Sequence, residues 1–294
     1  MKSCPFCGAG AYRKSYLPDT VFNNKNFSYL LCTNCQLIYL DPFPEPEDYA
    51  LMYPPSYQSG INKKVVSREK KLPGLRFAYG KHFDLMQKYA PGKRILDYGC
   101  GQANFVINAN LAGFVCDGAE YNPVHVELLK KEIPGSQFYL LDEFHNNNNL
   151  QYDVIRLSNV LEHLDKPGEI VRSLLKKLSP GGILLVEGPV ETNFSLAFLS
   201  RKLYFTATRN RKVGHTPTHI FFSNAKNQRE FFGRNSLDEL YFEVKDNEWP
   251  YPERAGDLKG AGDLVKFAIA RASMLISSLV RGWGNTFIYV GKKK

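Results

Sequence analysis

Arg94–Phe105 reads RILDYGCGQANF. An apolar run ends in an aspartate, two glycines follow one residue apart, and a segment with helical apolar spacing continues to Gly113. That order predicts a buried strand, a tight turn and a helix. Working outward, the pattern repeats. Phe114–Ala119 reads as a second strand, and PVHVELLKKE behind it as a helix opening on Pro123. Gln137–Leu141, Val154–Leu157 and Ile183–Glu187 read as the third, fourth and fifth strands, with PGEIVRSLLKKLSPGG as the helix before the fifth. GLRFAYGKHFDLMQKYAPG, from Gly74, reads as a helix leading into the first strand. LYFEVKDNEW and NTFIYVGKKK read as two closing strands, and HNNNNL as a surface loop. The alternation predicts an α/β fold: a Rossmann-like, doubly wound sheet with right-handed crossovers.

In an open α/β sheet, ligands sit at the carboxyl ends of the strands. Asp97, Gly99 and Gly101 stand there, and glycine lets the backbone approach a ligand closely. The dinucleotide fingerprint G-x-G-x-x-G fails, because Asn104 holds its last position. Asp97 is also a poor neighbour for a pyrophosphate. Glu120 closes the second strand, where an acid can accept hydrogen bonds from a ribose diol. Asp142 closes the third, within reach of an adenine amino group. Carboxylates at three successive strand ends suit a cationic, phosphate-free nucleoside, and S-adenosylmethionine fits that description.

From about residue 74 to 294 the chain resembles the class I S-adenosylmethionine-dependent methyltransferases. ILDYGCGQANF is similar to their first motif, with Ala103 where a third glycine is usual. YDVIRLSNVLEHLDKPGEIVRSLLKKLSPGGILLVEGP resembles their fourth and fifth motifs. The nearest branch holds ubiquinone-type O-methyltransferases and sugar C-methyltransferases. The resemblance implies a seven-stranded sheet with an antiparallel last strand. It also implies that Asp97, Gly99, Cys100 and Gly101 flank the methionine part and that Glu120 and Tyr121 take the ribose. Asp142 and Glu143 then approach the adenine, and Ser158, Asn159 and Val160 line the methyl end.

Methyl transfer to a hydroxyl or an acidic C–H needs positioning and a general base. His163, in VLEHL, is the first candidate, since the resemblance places it beside the methyl donor. His215 and His219, in GHTPTHIFF, are the second, and Glu187 could contact the acceptor. Some relatives hold a divalent metal through Glu-x-x-Glu-His. Asn159, Glu162 and His163 stand at those positions here, one carboxylate short, so no metal is expected there. Tyr53 and Tyr57 read as lid or anchor residues. PVETNFSLAFLSRKLYFTATRNRKVGHTPTHIFFS, about residues 189–222, reads as an insertion covering the acceptor site.

Cys4, Cys7, Cys32 and Cys35 are spaced C-x2-C-x24-C-x2-C. Four thiolates in two short knuckles predict a closed, structural Zn2+ site. The chain thus divides into a zinc ribbon over 1–40, a Pro/Tyr-rich connector over 41–73 and a methyltransferase domain over 74–294. MKSCPFCGAG lacks the apolar core of a secretory signal, and no run reaches the roughly 18 apolar residues of a membrane span. A cytoplasmic location is expected, where paired cysteines mean metal rather than disulfide. DLVKFAIARASMLISSLVRG, from Asp263, reads as an amphipathic helix facing the core, with membrane docking as the alternative.

The 294 residues carry a net charge of +9, which favours acidic partners. An RNA base methyltransferase with the ribbon as reader is one alternative. Only Arg13, Lys14 and Lys25 lie between the knuckles, a thin phosphate-binding face, and SNVLEHL replaces the Asn/Asp-Pro-Pro-Tyr type of segment common in base-amine methylation. A non-catalytic, cofactor-binding scaffold is the other alternative. The ribbon–connector–methyltransferase order resembles sugar C-methyltransferases and related enzymes, which implies a small-molecule acceptor: a nucleotide-linked sugar, or a natural-product or polysaccharide precursor.

Overall fold

The computed structural model describes residues 3–54, 79–208, 216–246 and 260–294. The first strands are short and antiparallel: β1 (Tyr12–Lys14), β2 (Thr20–Phe22), β3 (Lys25–Cys32) and β4 (Ile38–Asp41). Helix α1 (Pro46–Met52) follows, entered through Glu45 with Pro46 in its first turn, where a missing N–H costs nothing. Helix α2 (Gly80–Tyr89) leads into strand β5 (Arg94–Tyr98), which is the RILDY run. Ile95 and Leu96 are fully buried, as a strand covered on both faces requires.

The alternation continues through α3 (Asn104–Leu111), β6 (Val115–Glu120), α4 (Pro123–Glu132), β7 (Phe138–Leu140), α5 (Leu141–Asn146) and β8 (Tyr152–Ser158). A single 3-10 turn, Leu161–His163, precedes α6 (Pro167–Leu175) and β9 (Leu178–Pro189). The SPGG run lies inside β9, and the β8–β9 register slips between Tyr152 and Val154 where the strand enters. Then come α7 (Leu196–Ala207), the two-residue β10 (Phe221–Phe222), α8 (Ala225–Arg234), β11 (Leu237–Lys245), α9 (Ala261–Leu279) and β12 (Thr286–Lys293).

The main sheet has seven strands in the order β11-β12-β9-β8-β5-β6-β7. β12 is antiparallel to both neighbours and the other pairings are parallel. Strand order reverses between β5 and β8, which opens a crevice at their carboxyl ends.

A second sheet runs β1-β3-β4-β10, with β2 on β3. Its β10 comes from far along the chain: Phe221 and Phe222 pair with Tyr39 and Ile38. Phe6 stacks on Phe231 of α8 at 4.3 Å between ring centroids. The cysteine-bearing unit is therefore joined to the main domain by a shared strand and by aromatic packing.

One expectation fails. The helix over Asp263–Gly282 was expected to face the core, yet in α9 only Ala270 and Ser273 are buried.

Candidate functional site

Two cavities meet above the carboxyl ends of β5, β6, β8 and β9. The first, about 500 Å3, is lined by Tyr98, Gly99, Glu120, Tyr121, Asn159 and Val160 on the sheet side. Pro44, Pro46, Tyr49 and Tyr53 close it from the α1 side. Its charged lining residues are Glu120 and Asp165; among the described residues no lysine or arginine contributes.

The glycine turn is built for close approach. Gly99 has φ 74°, and a Cβ there would stand 2.5 Å from Val160 Cγ2. Ala103 keeps a φ of 53° at the position of the missing third glycine, a left-handed conformation that costs a non-glycine residue about 1–2 kcal/mol. Glu120 braces the turn. Its carboxylate accepts from the backbone N–H of Gly101 and of Tyr121, each at 2.8 Å.

Several residues expected around the ligand do not line this cavity. Asp97 is buried under the turn and accepts from Arg156 Nη1 at 2.5 Å. Burial pushes its pKa up, against the pull of Arg156. Cys100 is buried and faces Gly118. Asp142 and Glu143 are exposed on the first turn of α5, where Glu143 accepts from the Leu140 N–H at 3.2 Å. Ser158 donates to Glu187 at 3.2 Å, and Glu187 also meets His82 Nε2 at 3.2 Å. Neither Ser158 nor Glu187 lines either of the two cavities. Asn122, His125 and the α1 tyrosine Tyr49 do line the first one. His215 and Tyr57 lie outside the described residues.

The second cavity, about 860 Å3, adjoins the first, and Asn159 and His163 line both. Its other walls include Glu162, Glu191, Ser195, Arg201, Tyr204, His219, Asn285 and Thr286. His163 Nδ1 lies 2.6 Å from the Thr218 carbonyl and 2.9 Å from the Tyr53 hydroxyl. A carbonyl only accepts, so Nδ1 carries the proton and Nε2 is bare. Burial and the adjacent His219 hold the His163 pKa at about 4.

His219 behaves oppositely. Burial alone would lower its pKa, but Glu191, 3.3 Å from its Nδ1, outweighs burial and raises it. Glu191 is held ionised against burial by His219 and Arg201. Glu162 lies in the same cluster, and there burial wins over the pull of His219 and lifts its pKa to about 7. Glu162, His163 and His219 each offer a ligand atom within 4.8 Å of the others, so the structure supplies a third group that the motif lacked.

Glu191 and Arg201 carried no signal in the sequence. Glu191 lies just past β9, and its partner His219 stands at the far end of the insertion. Backbone pairing brings the two together: Ile220 N donates to the Glu162 carbonyl at 2.9 Å, and Leu40 N to the Ile220 carbonyl at 3.0 Å.

The four cysteines converge. Cys4 and Cys35 Sγ are 3.5 Å apart, and Cys7 and Cys32 Sγ 3.6 Å. A tetrahedral site with Zn–S bonds of about 2.3 Å has S···S edges of about 3.8 Å, so the thiols fit the ion.

A family model described as a methyltransferase domain matches residues 75–257. The chain belongs to the class I methyltransferases. Among curated relatives, the methyltransferase is 26% identical over 166 residues to the mitochondrial ubiquinone biosynthesis O-methyltransferase of Schizosaccharomyces pombe, covering 54% of this chain and 55% of that protein. It is 30% identical over 99 residues to the ubiquinone biosynthesis O-methyltransferase of Proteus mirabilis, covering 31% and 40%. The alignments thus span about half the length of these relatives, or less. Among solved structures, it superposes with a TM-score of 0.50 and 12% identity on a chain from the complex of the Haloferax volcanii Trm112 methyltransferase activator with a methyltransferase, covering 79% of this chain and 97% of that one. At that identity the likeness concerns the fold alone.

Proposed function

We propose that this methyltransferase moves a methyl group from S-adenosylmethionine, held in the first cavity, to a hydroxyl-rich small molecule in the second. The observation that carries the reading is the junction of the two cavities at Asn159 and His163. One side is acidic and aromatic, with no lining cation among the described residues; the other holds a histidine backed by a carboxylate.

The first cavity fits the methyl donor. Glu120 and Asp165 favour a cationic sulfur compound and disfavour phosphate. Gly99 lines the cavity with Val160 packed against it, and the Glu120 carboxylate can exchange its backbone donors for ribose hydroxyls. Bound there, S-adenosylmethionine supplies an electrophilic methyl group on positive sulfur.

The chain's own residues position the acceptor and receive its proton. His219 is the base. Its Nδ1 faces Glu191, which leaves Nε2 to take the proton, and the carboxylate stabilises the imidazolium that forms. His163 is the wall between the cavities. Its low pKa opposes protonation, and Tyr53 and Thr218 fix its ring. Polar groups at Ser195, Ser200, Asn285 and Thr286 suit several acceptor hydroxyls. The reading extends to a sugar or a natural-product or polysaccharide precursor as acceptor. The four cysteines would hold Zn2+ as a structural ion, away from the chemistry.

Titration calorimetry with S-adenosylhomocysteine is the first check, with saturable binding expected. Transfer of label from methyl-labelled cofactor to a panel of nucleotide-linked sugars and polyhydroxylated acceptors is the second. A chain that binds no S-adenosylhomocysteine would end this reading.

A further inference from the structure

Helices α7 and α9 both turn large apolar side chains outward. At about 100° per residue, Leu264, Val265, Ala268, Ala272, Leu275 and Leu279 share an arc of roughly 100° on α9. All six are exposed, Leu279 to 77%. The opposite side packs inward through the buried Ala270 and Ser273, flanked by the half-buried Phe267, Ile269, Met274 and Ile276. On α7, Leu199 and Leu203 likewise point outward, Leu203 at 74% exposure. The two helices pack together, and the Leu196 N–H and Trp283 Nε1 both donate to Ser273 Oγ at 3.2 Å. Phe194 and Val280 extend the same exposed set. An apolar face of this extent marks an interaction surface.

Two features choose the occupant. The first is charge. Over Phe194–Thr208 and Gly260–Gly284 the exposed cations beside the face are Lys202, Arg271 and Arg281, while Lys266, off the apolar arc, pairs with the only acid, Asp263, at 3.7 Å. The surface is therefore apolar with a cationic fringe, the chemistry of a helix lying in an anionic lipid interface. The second is access. Tyr204 is both a wall of the second cavity and 58% exposed, so the cavity opens beside the apolar face. A second protein seated flush on that face would cover the opening, whereas a fluid bilayer gives way to it. Among the described residues no helix is long and apolar enough to cross a membrane, so the contact is peripheral.

We propose that the α7–α9 face docks this protein on an anionic membrane surface. The cavity mouth then faces the headgroups. On the methyl-transfer reading, on which this last step rests, the acceptor is an amphiphile whose polar head enters the cavity while its apolar tail stays in the bilayer.

The test is co-sedimentation of the full chain with phosphatidylcholine vesicles, with and without phosphatidylglycerol. The protein is expected to sediment with the anionic vesicles. The variant Leu275→Glu/Leu279→Glu should bind them about tenfold or more weakly, with S-adenosylhomocysteine affinity unchanged as proof of folding. Leu203→Glu, on the other helix, serves if that variant does not fold, and should weaken binding in the same direction. The proposal is overturned if the protein stays in the supernatant, if the substitutions leave sedimentation unchanged, or if vesicle charge makes no difference. It is equally overturned if sedimentation velocity shows a dimer that the same substitutions split, since the face would then bind a second copy. Failure to bind S-adenosylhomocysteine would sink the methyl-transfer reading and leave membrane docking standing.

Discussion

His163 and His219 stand 4.9 Å apart between ring centroids, and Glu191 distinguishes them. Among the described residues, four titratable groups face His219: Glu191, Glu162, Arg201 and His163. Glu191 dominates and keeps a proton on the ring more firmly than usual. A base must first be deprotonated, so kcat/KM should rise with pH through the His219 pKa. Glu191→Gln removes the anion that retains the proton, and the rise should move to lower pH while maximal turnover falls. An unmoved profile would remove Glu191 from the reading. His219→Ala should lower kcat by about 10²–10⁴-fold, the usual contribution of a positioned base, with S-adenosylhomocysteine affinity unchanged by calorimetry. At the glycine turn, Glu120→Ala should weaken S-adenosylhomocysteine binding by about 1–3 kcal/mol. Its effect combines a lost ligand contact with a loosened Gly101–Tyr121 backbone, so hydrogen exchange across that turn should quicken as well. The glycine turn and Glu120 were legible because the motif is local. The burial of Asp97 was not, because its partner Arg156 comes from the neighbouring strand, and strand order is not written in any one segment.

At the scale of elements, apolar runs bounded by Gly, Pro and polar residues marked the five parallel strands, since a strand covered on both faces must be apolar along its length. Helix α9 was misread because periodicity shows that an apolar stripe exists and not which way it points: α9 carries the predicted stripe and turns it outward. Helix α1 was hidden in a Pro-rich run, because proline at the first turn of a helix looks like a breaker in a linear reading. Strand β10 has two residues and no signal of its own; it exists because β4 offers a free edge. That pairing sets the position of His219. Ile220→Pro removes the N–H donated to the Glu162 carbonyl and should detach the segment. Turnover should then fall about as far as in His219→Ala, while S-adenosylhomocysteine still binds. If Ile220→Pro keeps full activity, the strand pairing does not place the base.

Across the whole molecule, the cysteine unit and the catalytic cavity share structure. The thiols fix the loops that start β1 and follow β3; β3 pairs with β4, β4 with β10, and β10 holds His219 in register. Pro44, Pro46, Tyr49 and Tyr53, just after β4, wall the first cavity. A small sheet of short strands has little core of its own, and a structural Zn2+ ion supplies folding free energy directly. Removing the ion should therefore unfold the unit locally and release both cavity walls, while β5, β8 and β9, whose apolar side chains are buried in the main sheet, stay folded. After treatment with a strong chelator, hydrogen exchange should speed up together in β3, β4 and residues 219–222, with β5, β8 and β9 still protected. Turnover should be lost over the same chelator range. Exchange that quickens in β3 and β4 but leaves 219–222 protected would show that β10 holds His219 without help from the metal. Protection unchanged everywhere would mean that the four thiols hold the unit together with no ion at all.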